Sequence, residues 1–185
     1  MTRTNVVFLI ALLALSACGG GQEGAWERFE HVETKFSVLF PGKPTDTYEA
    51  IASDLGPIDS FVVELTPEGD DLRYRVRTDN YPPGIIGLVQ GTANLMLARQ
   101  RKYAHDEEAE TLSQDHFTWG ENVGREFTLK MPDGSIERSR IFTVDTTMFH
   151  AAVLAPADQA ERPEITKFLD SLELPESAHQ AEKAE

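Results

Sequence analysis

Residues 127–154 read F-T-L-K-M-P-D-G-S-I-E-R-S-R-I-F-T-V-D-T-T-M-F-H-A-A-V-L, and the fold is decided there. Phe127, Leu129 and Met131 alternate with polar residues and run into Pro132-Asp133-Gly134-Ser135, a turn-forming tetrapeptide. Two further extended runs follow, Ile136 to Val144 and Met148 to Leu154. Period-two alternation bounded by Gly, Pro and Asp is the pattern of half-buried antiparallel strands. Ala151-Ala152-Val153-Leu154 is apolar on both faces, which predicts a strand at the centre of the sheet, covered on both sides.

Toward the N-terminus the same pattern recurs. Leu72, Tyr74 and Val76 alternate with Arg73, Arg75 and Arg77. Phe36, Val38 and Phe40 alternate with Lys35 and Ser37 until Pro41-Gly42-Lys43-Pro44 ends the strand. Thr45 to Ser53 and Ile58 to Thr66 flank a hairpin connection at Asp54-Leu55-Gly56-Pro57. Two segments have helical spacing instead. Ile86, Val89, Ala93, Met96 and Tyr103 predict a longer middle helix over 85–103, after the breaker Tyr81-Pro82-Pro83-Gly84. Pro163 suits a first helical turn, and Ile165, Phe168, Leu169 and Leu172 form the buried stripe of a short C-terminal helix. Strands, a helix, more strands and a helix predict an α+β fold with an antiparallel sheet. One globular domain is expected over 26–175, with a polar, disordered tail over 176–185.

The beginning of the chain carries a different signal. Arg3 supplies a positive charge, Val6 to Leu15 is an uncharged apolar run, and Ser16-Ala17 are small residues before a cleavage point. The run is about ten residues long, half of what a membrane-spanning helix needs. Leu15-Ser16-Ala17-Cys18 resembles the bacterial lipobox. The resemblance implies a signal peptide over 1–17, cleavage before Cys18, a diacylglyceryl thioether on its sulfur and a fatty acyl group such as palmitate on its amine. Gly19, where aspartate would signal inner-membrane retention, implies the outer membrane, periplasmic face, within the bacterial cell envelope. Residues 18–25, with Gly19-Gly20-Gly21 and Gly24, read as a tether. The competing reading is an ordinary signal peptide with a chance cysteine, which would leave a reactive thiol on an exported chain.

Removing residues 1–17 from 185 leaves 168, enough for one domain with a substantial core. Without Arg3, sixteen basic residues against 31 acidic ones give a net charge of −15. Such a surface argues against nucleic acid, whose phosphates need a basic patch. Cys18 is the single cysteine, so its lipidation removes disulfides, cysteine–zinc sites and thiol nucleophiles from the domain.

Several phrases stand in a recognisable order: K-F-S-V-L-F-P-G-K-P at 35–44, Gly56-Pro57, L-R-Y-R-V-R-T-D-N-Y-P at 72–82, G-R-E-F at 124–127, R-I-F-T-V at 140–144 and K-F-L-D-S-L-E-L at 167–174. Together they resemble a family of bacterial exported proteins and lipoproteins with the PsbP-like fold, over about residues 29–174. That fold also serves the PsbP extrinsic subunit of photosystem II and a Ran-binding nuclear import factor. The resemblance implies an α/β/α sandwich with a central antiparallel sheet, and a role in binding or assembly rather than catalysis. None of the photosystem subunit's metal-linked or docking residues matches a position in this sequence.

Candidate sites are few. The five histidines fall in no H-x-x-x-H or H-E-x-x-H spacing, and no catalytic residue, metal site or cofactor is expected. His105-Asp106-Glu107-Glu108 with Asp115-His116 comes nearest to a metal cluster, but a charged run after a helix reads as a solvated loop. Arg73, Arg75 and Arg77 share one strand face and are the candidate ligand-binding residues, able to grip a carboxylate, a phosphate or an acidic partner. Arg138 and Arg140 extend that patch if their strand lies nearby. The alternative pairs these arginines across strands with Glu64, Glu126 or Glu137, and an acidic chain favours it. The expected function is therefore a membrane-anchored, non-enzymatic binding or assembly module with an envelope protein partner. The alternative is a small-ligand or ion-binding module that uses the arginine face.

Overall fold

The computed structural model describes residues 25–52, 56–82, 89–119 and 122–177. The signal, Cys18 and nearly all of the tether and tail expected from the sequence lie outside the described residues.

Seven strands form the main sheet: β3 (Thr45–Ile51), β4 (Ile58–Leu65), β5 (Arg73–Asn80), β6 (Glu110–Trp119), β7 (Asn122–Lys130), β8 (Ile136–Val144) and β9 (Thr147–Ala155). They lie in the order β3-β4-β5-β9-β8-β7-β6, and every neighbouring pair is antiparallel. The apolar run at 151–154 falls on β9, the middle strand of the seven. Phe149, Ala151 and Val153 are buried on one side of it, Met148 and Ala152 on the other.

Each face has its own cover. Two short strands, β1 (Glu27–Glu30) and β2 (Ser37–Phe40), form a separate antiparallel ribbon. This ribbon and α2 (Pro163–Asp170) cover one face, where Phe36, Phe40, Tyr74, Phe149 and Phe168 are fully buried together. Pro163 opens α2 at its first turn, and Ile165, Phe168 and Leu169 are its buried stripe. Just past its end the Ser171 hydroxyl accepts a hydrogen bond from the Leu39 N–H at 2.9 Å, which ties the helix to β2. The opposite face is covered by α1 (Val89–Asp106), which sets Met96, Tyr103 and Ala104 against Phe127, Leu129, Ile141 and Met148. The three layers and the two helices are those expected from the sequence.

Three differences have physical causes. Residues 110–119 are not a loop but an edge strand, β6, whose first seven residues are exposed. Only Phe117 and Trp119, at its end, pack against the core, an alternation too short to mark the strand. The ribbon strand β1 is only four residues long, too short for a period to register. The middle helix runs three residues beyond Tyr103, to Asp106, where Lys102 and Asp106 pair one turn apart at 2.8 Å. No described helix is long and apolar enough to cross a membrane.

Candidate functional site

The alternation of β5 sends Tyr74 and Val76 into the core beneath α2, so Arg73, Arg75 and Arg77 share the opposite face, toward α1. Two of the three are engaged within the chain. Arg75 Nη2 donates to the Tyr103 hydroxyl at 2.6 Å and reaches Glu137 Oε2 at 3.4 Å. The Tyr103 hydroxyl donates to the same Glu137 oxygen at 2.8 Å, and the Ser139 hydroxyl donates to Oε1 at 2.7 Å. Glu137 is only 1% exposed, so its carboxylate sits in a buried network that supplies donors to both oxygens. Burial, and then the charge of Glu137, pushes the Tyr103 phenol well above its ordinary pKa and keeps it a donor. Arg77 Nε donates to Asp79 Oδ1 at 2.9 Å while Arg99 reaches Oδ2 at 3.2 Å. Arg73 is the exposed member of the row.

His150 is buried in the same layer, its ring 5.1 Å from that of Tyr103 and 5.7 Å from that of Phe127. Its Nε2 has no hydrogen-bond partner among the described residues. Glu137 Oε1 at 4.0 Å favours the imidazolium. Burial first, then the charges of Arg75, Arg99 and Arg77, outweigh it and hold the pKa well below the ordinary value.

Arg138 and Arg140 do not extend the row. Arg140 faces Ala151 and Arg138 faces Val153 across β8–β9, so the register puts both on the α2 side of the sheet. Arg140 bonds Glu126 and Asp170, each at 2.7 Å, and lies 4.2 Å over the Phe117 ring. Of the three glutamates weighed as partners, Glu137 meets Arg75, Glu126 meets Arg140, and Glu64 stands opposite Arg75 in the β4–β5 register. No three His, Cys, Asp or Glu residues among those described are grouped to hold a metal.

A concavity lies elsewhere, at the end of the sheet where β4 turns into β5. It is a cleft of about 680 Å³. Trp26, Leu65, Pro67 and Tyr74 give it apolar walls, and Glu68, Asp70, Asp71, Arg162 and Glu164 line it with charge. Local chemistry sets these positions. The Asp70 N–H donates to the Pro67 carbonyl at 3.1 Å, closing a β-turn whose third residue, Gly69, has a φ of +76° that favours glycine. Arg162, immediately before α2, then clamps Asp70 with two bonds of 2.8 and 3.2 Å. The same guanidinium bonds Glu164 at 3.2 and 3.3 Å, and these bonds hold the Glu164 carboxyl below its ordinary pKa. Tyr74 is 1% exposed, and burial followed by the charge of Asp70 pushes its phenol far above its ordinary pKa. Nothing in the sequence alone joined these residues. Both the turn at Pro67-Glu68-Gly69-Asp70 and its nearness to Arg162 come from the fold.

No family model matches the chain, and no curated protein matches it. Among solved structures it is similar to the solution structure of cyanobacterial PsbP (CyanoP) from Synechocystis sp. PCC 6803, with a TM-score of 0.59 and 11% sequence identity. The match covers 87% of this chain and 99% of that one. At that identity the likeness speaks for architecture alone, and it joins the order of strands and helices to a known scaffold: this chain has the PsbP-like α+β fold.

Proposed function

We propose that the chain is an exported lipoprotein, held by lipid on Cys18 at the periplasmic face of the outer membrane. Its domain acts there as a non-enzymatic binding or assembly module with an envelope protein as partner. The observation that carries this reading is the position of the cleft relative to the anchor. Trp26, one wall of the cleft, follows Cys18 by eight residues. Eight extended residues span at most about 29 Å, so whatever occupies the cleft is held close to the membrane that holds the lipid.

Two further features favour binding over catalysis. His150 and Tyr103 are buried on the α1 face, away from the cleft, and Tyr74 in the cleft is held by burial as a neutral phenol rather than a base. Arg162 is saturated by two carboxylates, a rigid wall rather than a group free to meet a reacting atom. Reading the arginine row as a ligand site leaves Arg73 as its one exposed member, a weaker platform than the cleft.

A photo-cross-linking residue in place of Glu68, used in intact cells and followed by mass spectrometry, tests the proposal. One envelope protein recovered reproducibly is the expected result. No reproducible partner across several growth conditions would overturn it.

A further inference from the structure

We infer that the cleft receives a basic segment of a partner protein, with a lysine or arginine side chain entering between apolar neighbours. This rests on the binding-module reading and names the chemistry of its partner.

Charge selects the occupant. Glu68, Asp70, Asp71 and Glu164 place four carboxylates on the cleft against the one guanidinium of Arg162. Asp70 and Glu164 are spent on that guanidinium, while Glu68 and Asp71 stand exposed at the rim. An anionic ligand would meet this rim with repulsion, and the one guanidinium lining the cleft is already paired. A cationic one gains attraction during approach and pairing on arrival.

The floor makes an independent demand. The Tyr74 side chain is almost wholly buried, yet it lines the cleft beside Asp70, Arg162 and Glu164 and makes no hydrogen bond to another described residue. Its ring is enclosed while its hydroxyl opens on the cleft, leaving a hydrogen-bonding position for an occupant to take. Surrounded by carboxylates, it would accept from an incoming N–H. Trp26, with Lys167 Nζ 4.3 Å from its ring centre, gives the cleft an aromatic wall. Leu65, Pro41 and Pro67 offer apolar surface to the side chains that flank the cation. A free ammonium or polyamine would leave that surface uncovered, which is why a peptide segment fits better than a small amine.

The test uses the full chain in detergent, with the two tryptophan indole N–H resonances as reporters. The probes are a capped Ala-Leu-Lys-Phe-Lys-Leu peptide, its counterpart with glutamate in place of lysine, and spermidine. The lysine peptide should shift the Trp26 resonance, leave Trp119 in place and saturate. A double variant, Glu68→Lys with Asp71→Lys, should weaken it about tenfold or more. Glu107→Lys with Glu108→Lys, the same change of net charge beyond the end of α1, should leave it within about twofold. Tyr74→Phe, which removes only the hydroxyl, should weaken it measurably, and unfolding midpoints show that each variant is folded. Equal binding of the glutamate peptide, equal loss in both double variants, tighter binding of spermidine, or no shift at millimolar peptide would each overturn the inference. Should the Glu68 cross-link still recover a partner in that event, the basic segment is wrong and the binding module stands. Should both fail, the module reading falls with it.

Discussion

At Gly124 the β7 backbone approaches β8 so closely that an added Cβ would stand 2.5 Å from the Ile141 carbonyl oxygen and 2.6 Å from the Phe142 ring. Neither neighbour is the loose end of a flexible side chain, because one is ladder backbone and the other a buried ring. Gly124→Ala should therefore cost about 3 kcal/mol in urea unfolding, and a change below about 0.5 kcal/mol would show that the strands can part. His150 makes a pH-dependent prediction. In the unfolded chain its imidazole titrates near 6.5, but in the folded chain burial and three arginines hold it well below that value. Below about pH 6.5 the unfolded state therefore binds the extra proton, and stability falls as pH drops, by up to about 1.4 kcal/mol per unit from this group. Above that pH the group contributes no slope. His150→Leu should flatten the difference in unfolding free energy between about pH 7.5 and 5.5 relative to the parent chain. The other four histidines are common to both proteins, so equal slopes would refute the assignment.

Elements differ in how much depends on them. On α2, Phe168 packs 5.2 Å from the rings of both Phe40 and Tyr74, joining helix, ribbon and sheet. Phe168→Ala should lower unfolding free energy by about 3–5 kcal/mol. Leu112 on β6 is 50% exposed, and Leu112→Thr should stay within about 0.5 kcal/mol in the same assay. This contrast also explains what could be read in advance. Phe168 sits in a stripe with Ile165 and Leu169, and β9 is apolar on both sides. Burial writes itself into sequence wherever an element has a face in the core. Leu112 and its exposed neighbours on β6 belong to the sheet chiefly through backbone bonds, which any side chain satisfies, and only Phe117 and Trp119 at its end reach the core. The arginines of β5 show the same limit within one strand. Their shared face was legible from spacing, yet Tyr103 and Glu137, which engage Arg75, come from α1 and β8, and only the register brings them there.

The cleft is the extreme case, for its lining comes from Trp26, the β2–β3 turn, the β4–β5 turn, Tyr74 and the segment entering α2. No local pattern announces such a set, because its members meet only once the sheet and α2 are assembled. The opposite holds for the lipid signal, which is contiguous and needs no fold to be read. The two parts should therefore separate by mutation. Cys18→Ser removes the acceptor sulfur while leaving untouched the ribbon, sheet and helices that follow it. Each buried methylene contributes about 0.8 kcal/mol, so two acyl chains hold a protein stably and none leaves it free. The variant should lose incorporation of an alkyne fatty acid and move from the membrane to the soluble fraction. Its unfolding midpoint in detergent should match the parent's, since the cores described here begin at Trp26. Retained labelling would place the lipid elsewhere. Loss of folding together with the lipid would show that the tether carries stability that the assembled layers do not supply.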